Sequence, residues 1–132
     1  MDKIVLTEEK YGSHAIAPSL NKTLRMHWAV KKKMKDTFRL LIRNIMSLQE
    51  IKKAKAGQKY RLDIVSYRKR SLDRDNLFGG HKTLIDALCE EGFVWDDDPH
   101  SIILTIEQKK ATKASGKPVQ TTIIRHPLGK II

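Results

Sequence analysis

The chain has 132 residues, enough for one domain with a modest core, residues 1–132, and too few for two of ordinary size. Lys and Arg number 26 against 15 Asp and Glu, a formal charge of +11 that points to a polyanionic partner, of which nucleic acid is the commonest. The 40% hydrophobic content excludes a disordered tail, and the single cysteine, Cys89, excludes an internal disulfide and fits a reducing cytoplasm.

In chain order, Lys3-Ile4-Val5-Leu6-Thr7 reads as a short strand. Asp2, Glu8 and Glu9 flank it without a long apolar region, so no signal peptide is expected. No apolar run approaches the ~20 residues of a membrane span. Residues 11–23, with Gly12, Pro18, Ser19 and Asn21, read as loop, and His14 is expected to lie exposed in it. The histidines (14, 27, 81, 100 and 126) are scattered and no Cys-x-x-Cys occurs, which argues against zinc.

Residues 28–48 read as the first helix. Met34, Phe38, Leu41, Ile45 and Leu48 form a narrow apolar stripe at spacings of four, three, four and three, suited to a core face or a dimer seam. Lys31, Lys35, Arg39 and Arg43 follow every four residues beside it. Between Lys22 and Arg70 sixteen Lys or Arg stand against three acidic residues. A solvated basic back would suffice for a core helix, but this density favours contact with phosphates, because cations four apart can follow one backbone strand. No aromatic belt supports a helix lying on a membrane.

Residues 51–59 form a basic linker. Residues 60–67 alternate, with Tyr60, Leu62 and Ile64 on one face, and read as the strand that delivers Arg68-Lys69-Arg70. An acidic island follows: eight of the fifteen acidic residues fall within the 26 positions 73–98. Phosphates repel carboxylates, so a nucleic-acid binder tolerates such an island best with a divalent cation between them. Asp73 and Asp75, two apart in extended chain, leave one face. Asp75 or Asn76 is expected to cap a helix carrying Leu77, His81, Leu84, Ile85 and Leu88 at helical spacing, stopped by Gly92. Gly79-Gly80 reads as a flexible lead-in to that helix. Phe93-Val94-Trp95 runs into Asp96-Asp97-Asp98, a run that taken alone would be a solvated turn.

Calcium-loop chemistry fails, because the fifth and twelfth positions counted from Asp73 are Leu77 and Leu84. No Gly-Lys-Ser/Thr follows the glycine pair, so no phosphate loop forms there. Ile102, Leu104 and Ile106 alternate as a further strand, and residues 110–117 read as a turn. Residues 119–125 read as the last strand, Thr121 and Thr122 suiting a sheet edge, with Pro127, Gly129 and Lys130 in a tail. The order is β-α-β-α-β-β in an α+β domain. A mixed sheet with helices on one side is expected, the last two strands pairing as a hairpin.

Asp73-x-Asp75-Asn76, Lys82, Asp86-Ala87-Leu88, Gly92 and Asp96-Asp97 resemble the signature of the RusA family. These are small metal-dependent endonucleases that resolve Holliday junctions and are often carried by phages and prophages. The flanking Pro18-Ser19-Leu20-Asn21 also occurs in the family's order, while the interval from Asn76 to Lys82 is longer than in the best-known member. The resemblance implies Mg²⁺ or Mn²⁺ held by Asp73, Asp75 and Asp97, with Asp96 or Asp98 in support, and Lys82 as a further catalytic group. It implies branched DNA as substrate and a homodimer with a mixed sheet. Lys31, Lys35, Arg39, Arg68, Lys69, Arg70, Arg74 and Lys82 are the expected DNA contacts. The competing expectation, from charge alone, is a non-catalytic nucleic-acid-binding accessory protein. A ribosome-associated protein would leave the acidic island unexplained.

Overall fold

The computed structural model describes residues 2–112 and 116–130. Strand β1 (Asp2–Thr7) leads into helix α1 (Glu8–Tyr11), a 3-10 turn (Gly12–Ala15) and helix α2 (Leu20–Arg25). The long helix α3 (Trp28–Leu48) precedes β2 (Gln58–Arg68). Helices α4 (Arg74–Gly80) and α5 (Lys82–Glu90) then connect to β3 (Ile102–Lys110), and β4 (Gln120–Lys130) follows. Residues 113–115 of the expected 110–117 turn lie outside the described residues.

Residues 11–23 are therefore more ordered than a loop. Thr7 Oγ1 accepts from Lys10 N and Ser19 Oγ accepts from Lys22 N, so hydroxyl caps start two helices too short to show a period. His14 is half-buried, edge-on to Phe38, rather than exposed.

The sheet is mixed, with strand order β1-β4-β2-β3. β2 and β3 are parallel, as expected of strands joined through helices. The last two strands do not form a hairpin. β4 instead runs antiparallel to both β1 and β2, so Thr121 and Thr122 lie buried in a central strand rather than at an edge. β-Branched residues suit either place. Thr121 Oγ1 donates to Ala15 O, tying that strand to the 3-10 turn. β4 also continues through the expected tail: Tyr60 pairs with Pro127 and Lys59 with Gly129 across a register shift. Pro127 lies past Arg125, the last β4 residue paired with β1, so its missing N–H costs no ladder bond on that side.

One sheet face is covered by helices. Ile4, Leu6, Tyr60, Leu62, Ile64 and Ile123 meet Phe38, Ile42, Ile45 and Met46 of α3 and Leu84, Ile85 and Leu88 of α5. Ile42 and Met46 widen the expected stripe on α3, while Leu48 is 85% exposed. The stripe thus faces the chain's own sheet. Leu77, His81, Leu84, Ile85 and Leu88 are buried as their spacing requires. Gly92, at φ 82°, turns the chain after α5, and its carbonyl accepts from Ala54 N of the linker. No helix among the described residues is long and apolar enough to cross a membrane.

Two contacts lock this layer. Arg125, 4% exposed, donates to Asp2 Oδ2 and to Phe93 O and lies over the Tyr60 and Phe93 rings. Gly80 meets the Pro18–Ser19 backbone so closely that a Cβ there would stand 1.9 Å from Pro18 O. The glycine pair is not a flexible lead-in: both residues are helical, and Gly80 is buried against another segment. At Gly79 a Cβ would meet only the Leu20 side chain, at 2.7 Å. Gly80→Ala should therefore destabilise the fold by at least ~2 kcal/mol despite better helix propensity. Gly79→Ala should cost much less, because Leu20 can rotate away. Urea unfolding of the two variants checks this, and equal midpoints would refute the close approach.

Candidate metal and nucleic-acid site

After β2 the chain reaches Asp73 in extended conformation, and Asp73 rather than Asp75 or Asn76 caps α4. Its Oδ1 accepts from Asn76 N and its Oδ2 from Asn76 Nδ2, both at 2.9 Å. An N-cap carboxylate satisfies a free helix N–H and meets the positive end of the peptide dipoles. The Asn76 bonds hold the Asp73 carboxyl below its usual range. Asp75 is exposed in the first helical turn instead of sharing a strand face with Asp73. Among the described residues its carboxylate has no hydrogen bond or ion pair.

Asn76, one of the two expected caps, instead braces the residue that does cap. Its Oδ1 accepts from Asn21 N at 2.9 Å, so one amide orients Asp73 and fastens the start of α2. The available signal was its place three residues after an aspartate cap.

Lys82 opens α5. Its ammonium lies 3.0 Å from Asp86 Oδ1 and 3.3 Å from Asp97 Oδ2, and Asp86, then Asp97, keep its pKa raised. The three adjacent aspartates divide their work. Asp97 faces Lys82. Asp96 Oδ1 accepts from Asp97 N. Asp98 closes a turn, accepting from His100 N and from Ser101 N and Oγ, and so is not free for outer support of a metal.

The structure thus joins Lys82 to Asp97 and sets Asp73 beside Asp75 at one helix start. Among the described residues, no three Asp, Glu, His or Cys side chains form a group that could hold a metal ion, so Asp73, Asp75, Asp96 and Asp97 are not drawn into one cluster. Their donor chemistry nonetheless fits Mg²⁺ or Mn²⁺, which take hard carboxylate oxygens. Asp75 is unengaged, whereas Asp73 and Asp97 would have to share or exchange internal partners. Cys89 is a poor nucleophile, its thiol pushed up to about 12 by burial and by the nearby aspartates.

The basic residues separate into two kinds. Lys35 pairs with Glu90, and Arg39 with Glu90 and Glu91. Arg43 Nε also meets Glu91, at 2.8 Å. Lys35 and Arg39 therefore fasten α3 to α5 rather than standing free for phosphate. Arg68 is buried, its guanidinium donating to Ala17 O and Ser66 Oγ, and stands in the wall of a cleft rather than on the open surface. Lys69, Arg70 and Arg74 are exposed and Lys31 is half-buried, so these keep the character expected of them. His81 is buried with Nε2 unpartnered; its Nδ1 lies 2.7 Å from Leu77 O, and burial lowers its pKa to about 4, so it stays neutral.

No family model matches the chain, and no curated protein matches it.

Glu91 supplies a test of the clamp. Hydrogen bonds from Arg43 and Arg39 hold its carboxyl below the ordinary value near 4.5. A depressed folded pKa gives stability that is present above the unfolded value and lost as pH falls through the folded one. Glu91→Gln should lower the melting temperature by about 5 °C at neutral pH and flatten its fall as the pH drops below the ordinary carboxylate value. Coincident melting temperatures for parent and variant from neutral to acid pH would show that the clamp contributes nothing.

Proposed function

We propose that the chain is a metal-dependent endodeoxyribonuclease that cuts branched DNA such as Holliday junctions, of the kind its sequence signature resembles. The observation that carries this reading is the 3.3 Å approach of Lys82 Nζ to Asp97 Oδ2, which joins motif halves fifteen residues apart. The Asn76 bonds to Asp73 and Asn21 support it, because they make the first half of the motif a fixed structure rather than a solvated run.

Mg²⁺ or Mn²⁺ would be held by Asp73, Asp75 and Asp97, with Asp96 in support, and would supply Lewis-acid polarisation of the scissile phosphate. Asp75 is the carboxylate readiest to take a ligand. Asn76 keeps both Asp73 oxygens at the helix start. Lys82 holds a positive charge beside Asp97, where charge develops on a transferring phosphoryl group. Lys69, Arg70 and Arg74, exposed around the helix start, grip the DNA backbone by charge and shape rather than by base identity. Two incisions on opposed strands call for two copies of the chain related by a two-fold axis. Such an enzyme would work in the cytoplasm, in recombination and repair, with a phage or prophage as one setting.

One observation favours a second reading, a non-catalytic nucleic-acid-binding protein: the Lys82 ammonium already neutralises Asp97 and Asp86. Cleavage of a four-way junction with and without Mg²⁺ separates the two. Asp75→Asn should abolish cleavage while leaving junction binding intact or tighter, since it removes a ligand and lessens repulsion of phosphate. Lys82→Ala should slow cleavage by ~100-fold or more with little change in melting temperature. A variant at Asp75 that cuts at the parent rate refutes the metal assignment. Binding that weakens with salt but never yields cleavage establishes the second reading.

A further inference from the structure

Among the described residues, buried charge is matched by opposite charge, with one exception. Arg125 meets Asp2, and Glu91 meets Arg39 and Arg43. Arg68, 7% exposed, has only neutral acceptors, Ala17 O at 2.7 Å and Ser66 Oγ at 3.2 Å. No carboxylate pairs with it among the described residues. An arginine stays protonated, and a buried charge without a counterion is costly. Such a group is explained when an anion from outside completes it.

Arg68 lines an open cleft of about 860 Å³, within the ~300–1,000 Å³ of ordinary ligand sites. Arg70 and Lys22 lie on the same cleft, against a single carboxylate, Glu8. The rest of the wall is largely apolar, including Met26, Met34 and Phe38. Met26 and Met34 are half-buried, and methionines conform to flat rings, while Phe38 lies in the core behind them. A phosphate site joined to an apolar slot matches a nucleotide better than a bare anion.

The cleft also adjoins the candidate site. Leu72 lies in its wall and Asp73 follows at once; Ser19 lies in its wall and Asn21 is bonded to Asn76. We infer that the cleft receives one unstacked nucleotide of the DNA strand beside the scissile phosphate, its phosphate on Arg68, Arg70 and Lys22 and its base against the half-buried Met26 and Met34. This rests on the nuclease reading and deepens it. Taking a base out of the stack costs least where pairing is already lost, so the cleft would select branch points without reading sequence.

The test uses thymidine 3′,5′-bisphosphate, the full chain and EDTA, followed by calorimetry and by the methyl resonances of the methionines. Saturable binding that shifts Met26 and Met34 is expected, weakened by about tenfold or more in the Lys22→Ala, Arg70→Ala double variant. Both residues are exposed, so the fold survives; Arg68→Met would put it at risk and is not needed. Absence of saturable binding, equal affinity for inorganic phosphate, or unmoved Met26 and Met34 signals would each overturn the inference. The measurement needs neither metal nor cleavage. Failed binding with intact Mg²⁺-dependent cutting therefore removes the cleft alone, and binding without cutting removes the nuclease reading alone.

Discussion

The contact between Gly80 and the Pro18 carbonyl is the constraint on which the functional end of the molecule depends. It brings the segment before α2 onto α4 with no side chain between them. From that contact Ser19 can cap α2, and Asn21 reaches the Asn76 amide that holds Asp73. The same segment supplies Pro18 and Ser19 to the cleft. Ala17 gives its carbonyl to Arg68 from the adjoining position. The candidate site and the cleft thus share one wall, and a shift of that wall would move both.

Electrostatics gives the fold a second layer of order. Read as composition, the acidic island is a single block set in a basic chain. In space it divides. Glu90 and Glu91 are counterions for α3, Asp98 closes a turn and Asp73 caps a helix. Asp75, Asp86, Asp96 and Asp97 remain for charge chemistry, two of them already shared with Lys82. The basic helix divides in the same way, its middle cations holding α5 and others staying in solvent. Charge density alone therefore overstates the surface offered to a polyanion.

Periodicity made the buried faces legible, because a core contact recurs every three or four residues on a helix and every two on a strand. Leu84, Ile85 and Leu88, and Tyr60, Leu62 and Ile64, fall where their spacing puts them. Parallel pairing of β2 with β3 followed from the helices between them. What stayed hidden depends on partners distant in the chain. Gly80 looks like a flexible residue until Pro18 is beside it. Arg68 looks like a surface cation until Ala17 covers it. Thr121 and Thr122 have the same strand preference at an edge as at the centre, so nothing local betrayed the place of β4.

That place has a consequence for how the chain acquires its structure. β4 follows every other strand in sequence, yet it lies between β1 and β2 and pairs with both. A nascent chain lacking it can form only the β2–β3 pair, with β1 unattached and a buried arginine, Arg125, still missing from the core. The sheet therefore closes through contacts that span the whole length from Asp2 to Arg125. Such long loops favour late, all-or-none formation over stepwise growth behind the ribosome. Synthesis interrupted before residue 120 would leave the apolar edge of β2 open to pairing with a neighbouring chain.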